Sequence, residues 1–243
     1  MSKEKINQTG VKMSKEKKHI VLAGDSIFDN QSYVPGEPDV AQQLRYQLDD
    51  DIKVTLLAID GDVTTGVDDQ LRGLPEDTTH LFISVGGNDA LGQLLELTEP
   101  VSNVGEGFLK FSDIQSSFQE KYSSMLRNAL SYNIPTTVCT IYKPCFTHSD
   151  SSRVMSFSDY GINNETLQKI SVTALTTFND IIIEEAVIAG VPVMDLRVLY
   201  DNVDDYANPI EPSTIGGKKM VSVIEKIIRK HPFNVNNTVM YAN

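Results

Sequence analysis

Three short segments carry residues whose types and spacing could do chemistry. Gly24-Asp25-Ser26 directly follows an apolar run, His19–Ala23, of strand length. A glycine there permits a tight turn that lifts the serine to the end of the strand. A serine so placed is a nucleophile if a base stands beside it, and a helix N-cap if none does. Gly86-Gly87-Asn88-Asp89 follows a second apolar run, Leu81–Val85. Its two glycines let backbone come close to a ligand, and the Asn88 amide can donate to a developing oxyanion. The same segment also reads as a strand-to-helix turn capped by Asn88 or Asp89. Asp60-Gly61-Asp62 follows Val54–Ile59, and Gly61 can turn a backbone N–H where a side chain would obstruct. Alone, each segment is a turn. Together they supply a nucleophile and oxyanion donors after successive strands, which is what acyl transfer needs.

The elements that must position these residues alternate along the chain. Strand-length runs occur at His19–Ala23, Val54–Ile59, Leu81–Val85, Thr136–Ile141 and Val191–Leu196. Between them lie helical patterns at Val40–Leu48, Ile114–Leu130 and Glu165–Ala189, with apolar residues three or four apart. The third stops at Gly190, and a last helix starts near Ser213 and ends before Pro232. Strand–helix alternation predicts an α/β fold: a parallel sheet of about five strands with right-handed crossovers and helices on both faces. Ligands of such sheets bind outside the carboxyl ends of the strands, where all three segments fall. The domain is expected over residues 19–231, with a polar, poorly ordered extension at 1–18 and a flexible tail at 232–243. Met1-Ser2-Lys3-Glu4-Lys5 recurs as Met13-Ser14-Lys15-Glu16-Lys17, so Met13 is a second candidate start.

Composition narrows the function classes. A formal net charge of −12 repels nucleic acid phosphates. No apolar run reaches the roughly 20 residues of a membrane helix, and no apolar segment follows the N-terminal lysines, as a secretory signal would require. Two cysteines, Cys139 and Cys145, do not make a disulfide framework and point to a reducing compartment. The expectation is a cytoplasmic protein acting on a small molecule, with no nucleic acid or membrane partner.

The three segments resemble the blocks of the SGNH hydrolases, also called GDSL esterases and lipases, and the resemblance spans about Ile20 to Lys230. It implies a three-layer, flavodoxin-like sandwich and a serine esterase that needs no metal or organic cofactor. Ser26 would be the nucleophile; the Ser26 N–H, the Gly61 N–H and the Asn88 amide would form the oxyanion hole. The family's fourth block, Asp-x-x-His before the last helix, is matched here by Asn208-Pro209-Ile210-Glu211. Both of its expected residues are replaced. His19 and His80 open strands at the far edge of the sheet, and His231 ends the last helix. Only His148, in a loop after a strand, could serve as an alternative base. Glu211 is the principal candidate. It is ionised at neutral pH, burial beside Ser26 would raise its pKa, and Asn208 in place of aspartate would orient it without repelling it.

Two other functions remain open on the sequence. With a dead triad, Glu211 would favour the helix N-terminus and the domain would bind a ligand without turning it over. Alternatively, Asp25, Asp29, Asp89, Asp201, Asp204, Asp205 and Glu211 would crowd one sheet edge and hold magnesium for phosphoester hydrolysis. Asp201–Asp205 lacks the glycine and terminal glutamate of a calcium loop and reads as a solvated acidic loop. Cys145 beside His148 is too weak a pairing to displace Ser26.

Overall fold

The computed structural model describes residues 17–147 and 161–242. The expected extension at 1–18, with Met13, falls almost wholly outside them, as does His148.

Six strands form one sheet in the order β2-β1-β3-β4-β5-β8, every neighbouring pair parallel. They are β1 (His19–Gly24), β2 (Lys53–Leu56), β3 (His80–Ser84), β4 (Thr136–Cys139), β5 (Val193–Met194) and β8 (Met240–Tyr241). β1 shows how the residues select the layers. Ile20 and Leu22 point to one face, where they meet α1 (Val40–Gln47) and α7 (Thr214–Lys230). Val21 and Ala23 point to the other, against α2 (Val67–Leu71), α4 (Val104–Ser131) and α5 (Asn164–Ala189). Alternate side chains of a strand face opposite ways, so an unbroken apolar run fills both layers of the sandwich.

The helix ends are chemically marked. Asp39, Asn103, Asn163 and Ser213 each accept backbone N–H bonds as N-caps of α1, α4, α5 and α7. Gly190 ends α5 in the left-handed region, φ +67°. Several strands are shorter than the sequence reading, β5 most of all at Val193–Met194 against Val191–Leu196, and two further boundaries differ in kind. Helix α4 begins at Val104 rather than Ile114, because Val104, Phe108 and Leu109 of its first turns are exposed and break the inward apolar period. Residues 232–243, expected as a flexible tail, instead supply the sixth strand β8 through Met240 and Tyr241. Two residues are too few to show a strand period in the sequence.

The chain leaves β1 towards β2 on one side and crosses back to β3 on the other. The carboxyl ends of β1 and β3 therefore flank the switch point of the sheet, where the connections diverge and leave a crevice. A small antiparallel hairpin, β6 (Tyr206–Asn208) with β7 (Glu211–Pro212), precedes α7 and pairs Asn208 with Glu211.

Candidate active site

Ser26 stands on a turn that only glycine permits. Gly24 has φ +126°, and a Cβ on it would lie 1.8 Å from the Ser84 carbonyl oxygen. The same oxygen accepts from the Asp25 N–H at 3.0 Å, tying the turn to the end of β3. Gln70 holds the other side: it accepts from the Gly24 N–H at 2.7 Å and donates to the Gly24 carbonyl at 2.8 Å and to Asp62 Oδ2 at 2.7 Å. The Ser26 turn and the loop after β2 are thus joined through one buried carboxamide.

The hairpin delivers Glu211 to this turn. Ser26 Oγ donates to Glu211 Oε1 at 3.2 Å, across 185 residues of sequence. Both residues are buried, each about 5% exposed, and Glu211 Oε2 has no hydrogen-bond partner. Asn30, fully buried, fixes the hairpin by donating to the Pro212 carbonyl at 3.1 Å while accepting from the Val40 N–H at 3.0 Å. Behind the hairpin, Tyr142 stacks on Tyr200 at 4.4 Å between centroids, and Tyr206 packs edge-on to both. The Tyr142 hydroxyl donates to the Ile210 carbonyl.

Burial sets the electrostatics. Desolvation pushes the Glu211 carboxyl from 4.5 up to about 8; the Ser26 hydrogen bond opposes this, and the nearby Asp25 and Asp60 charges add to it. Asp25 is raised to about 7, again by burial first. The Ile27 N–H on its Oδ1 holds it down, and Asp89 and Asp62 push it up. Two carboxyls that retain protons near neutrality therefore flank Ser26.

Asn88 enters the same cavity as Ser26 and Glu211. One of its amide N–H groups donates to the Asp62 carbonyl at 2.8 Å; a carboxamide carries a second N–H. Asp89 ties down the adjoining loop by accepting from Thr64 N and Oγ1, both at 2.8 Å. Gly61 has φ +82°, and the place of its missing Cβ is open space. It is not among the residues that line the cavity.

Other expectations fare differently. Asn208 does not orient the Glu211 carboxylate: its Oδ1 accepts from the Ile210 N–H at 3.0 Å and closes the two-residue hairpin turn. A short asparagine side chain readily bonds the backbone two residues on in this way, although Asn208 is paired with Glu211 in the ladder. The three described histidines are engaged elsewhere: His19 with Asp77 and Thr55, His80 with Thr79, His231 with Tyr241. The acidic residues expected on one edge divide: Asp89 and Glu211 are close enough to Asp25 for their charges to interact, while the others are held elsewhere. Asp29 accepts from the Asp60 N–H, while Asp201 and Asp205 share Lys219. Among the described residues, no three of His, Cys, Asp and Glu are grouped as metal ligands would be. Asp205, read as part of a solvated loop, is fully buried and accepts from the Asp201 and Asn202 N–H groups.

The sequence reading missed Asn30, Gln70 and the tyrosine wall. Gln70 had a signal, since it stands beside Leu71 and three residues from Val67 on a helix face otherwise apolar. Asn30 had none, because its partners lie 10 and 182 residues away.

A cavity opens beside Ser26, with Glu211, Asn88, Phe111, Phe146 and Phe178 among its lining residues. The sequence matches no family model and no curated protein. Solved structures do match. A lipase from a goat rumen metagenome aligns with a TM-score of 0.60 at 16% identity, over 86% of this chain and 96% of that one. An extracellular lipase of Streptomyces rimosus aligns at 0.59 and 14% identity, over 86% and 99%. A GDSL-like lipase of Bacteroides thetaiotaomicron aligns at 0.56 and 13% identity, over 90% and 91%. The fold is that of the SGNH hydrolases. Within the SGNH fold, Ser26 closes the strand that opens the sandwich, and Glu211 stands just ahead of the last helix. Among the described residues no helix is long and apolar enough to cross a membrane.

Proposed function

We propose that the chain is a serine hydrolase of carboxylic esters, of a small alcohol or a carbohydrate, in which Glu211 is the base. The observation that carries this reading is the 3.2 Å contact between Ser26 Oγ and Glu211 Oε1, made inside a buried cavity that raises the carboxyl to about 8. A base works best with a pKa near the operating pH, and burial gives this glutamate the basicity that an exposed one lacks. Ionised Glu211 takes the Ser26 proton as Oγ bonds to the acyl carbon, and the carbonyl electrons move onto its oxygen. The Asn88 amide and the Ser26 N–H, whose residues line the cavity, take that oxyanion in this reading, while Gly61 stands outside the lining. When the oxyanion collapses, the alkoxy C–O bond breaks and Glu211 returns the proton to the departing alcohol. Water then attacks the acyl-serine, passing one proton to Glu211, and Ser26 regains a proton as the acid leaves. Asn30 and Tyr142 hold the hairpin so that Glu211 needs no orienting carboxylate.

Hydrolysis of p-nitrophenyl esters tests this. Wild type should turn over, and Ser26→Ala and Glu211→Gln should each lose at least ~10²-fold in kcat. Ligand binding without turnover would favour a non-catalytic site. Turnover that survives Ser26→Ala and is lost to chelators would favour metal-dependent phosphoester chemistry. Full activity in Glu211→Gln would move the base to His148.

A further inference from the structure

Asp25 is a buried carboxyl beside Ser26 to which the proposed reaction gives no part. It is 2% exposed and lines the same cavity as Ser26, Asn88 and Glu211. Its backbone is fixed at both ends. The Asp25 N–H donates to the Ser84 carbonyl at 3.0 Å, and its carbonyl accepts from the Phe28 and Asp29 N–H groups at 3.1 and 3.2 Å. Its Oδ1 takes the Ile27 N–H at 3.1 Å, and its Oδ2 lies 3.8 Å from the place a Gly87 Cβ would occupy. The turn itself therefore holds this carboxyl against the site, one residue from the Oγ that touches Glu211.

Few groups around the pair can carry charge. Tyr33, Tyr142 and Tyr200 stand near Glu211, and Cys139 and Tyr142 near Asp25; burial pushes all four up, so they stay neutral across the working pH range. The other neighbours are carboxylates: Asp60 for Glu211, Asp62 and Asp89 for Asp25. Each of these three is served by donors: Asp60 by the Tyr33 hydroxyl, Asp62 by Gln70 and the Val63 N–H, Asp89 by Thr64. Of the two carboxylates that act on Glu211, Asp60 is exposed and screened by water, whereas Asp25 is buried and screened far less.

We propose that Asp25 is a positioning residue of the hydrolysis that acts through Glu211: its carboxylate, fixed in the cavity wall, repels ionised Glu211, and that repulsion is relieved when Glu211 takes the Ser26 proton. The proposal rests on the Ser26–Glu211 reading. The proton passes from Ser26 Oγ to Glu211, Asp25 exchanges none, and the negative charge moves to the acyl oxygen. With asparagine at position 25 the repulsion is gone, so ionised Glu211 is more stable and a weaker base.

The test measures kcat/KM for p-nitrophenyl acetate against pH in wild type and Asp25→Asn, together with NMR titration of the labelled side-chain carboxyls of both proteins without substrate. Asp25→Asn should move the kcat/KM midpoint down by about one pH unit and lower the plateau roughly threefold or more. The Glu211 resonance should move down with it. A merely structural role would change the plateau and leave both midpoints in place, and that result would overturn the inference. Wild type alone gives a second reading should Asp25→Asn fail to fold. Its Asp25 and Glu211 resonances should each pass through the same two steps, as a coupled pair does. Two separate single-step curves would equally overturn the inference. A Glu211 resonance that shifts in Asp25→Asn, with no ester turned over by wild type, would sink the Ser26 reading and leave the carboxyl pair standing.

Discussion

Glu211→Gln should reverse part of the pH dependence of folding stability. The unfolded carboxyl titrates near 4.5 and the native one near about 8. Below the lower value both states hold the proton and the group contributes no slope. Between the two values the unfolded chain releases its proton and the native state keeps it. The native state then binds more protons, so the free energy of unfolding falls as pH rises. Above about 8 both are ionised and the loss is complete. At ~1.4 kcal/mol per pH unit the full interval corresponds to roughly 5 kcal/mol, and about 3–5 kcal/mol is expected once Ser26 and any entering water stabilise the ionised form. Glutamine is neutral throughout and occupies the same space. Urea denaturation at pH 5 and pH 9 should therefore show a stability difference, variant minus wild type, about 3–5 kcal/mol larger at the higher pH. Asp25, also raised, keeps most of its own slope in both proteins, and its charge coupling to Glu211 is part of the difference. Parallel profiles, with the difference constant to about 1 kcal/mol, would show that Glu211 is solvated and refute the burial argument for its basicity.

Other substitutions probe the scaffold. Asn30→Ala strips a partner from the Pro212 carbonyl and the Val40 N–H and should cost about 2–4 kcal/mol in denaturant melts. It should also lower kcat as the Glu211 hairpin loosens. Gly24→Ala places a methyl 1.8 Å from the Ser84 oxygen at a φ of +126°, and a loss of about 3 kcal/mol or more is expected in the same assay. Asn88→Ala should reduce kcat on p-nitrophenyl esters by ~10²–10³-fold with KM little changed, the pattern of a donor that acts on the transition state. In wild type, kcat/KM should climb with pH and level off above about 8 as Glu211 ionises.

The parallel sheet, the two helical layers and the edge that bears the site were legible because they follow from period and alternation. The segments of Ser26 and Asn88 stood out because they follow strands, and Glu211 because its segment matches the fourth block that the family resemblance implies. The contacts that hold them were less legible. Asn30 reaches Pro212, the neighbour of Glu211, only through a hairpin whose turn Asn208 closes, and nothing in Asn208-Pro209-Ile210-Glu211 shows where the Asn208 carboxamide will point. The start of α4 was hidden because Val104, Phe108 and Leu109 are apolar yet exposed, a placement that periodicity reads as loop. The burial of Asp205 depended on Lys219, 14 residues away on the next helix.

The most direct measurement is the pH dependence of Ser26 labelling by a fluorophosphonate, followed by intact and peptide mass spectrometry. One adduct, on Ser26, should form at a rate that rises through about pH 8 in wild type. In Glu211→Gln it should form at least ~10²-fold more slowly and without that rise. Labelling at another residue, or equal rates and pH profiles in the two proteins, would contradict the Ser26–Glu211 pair.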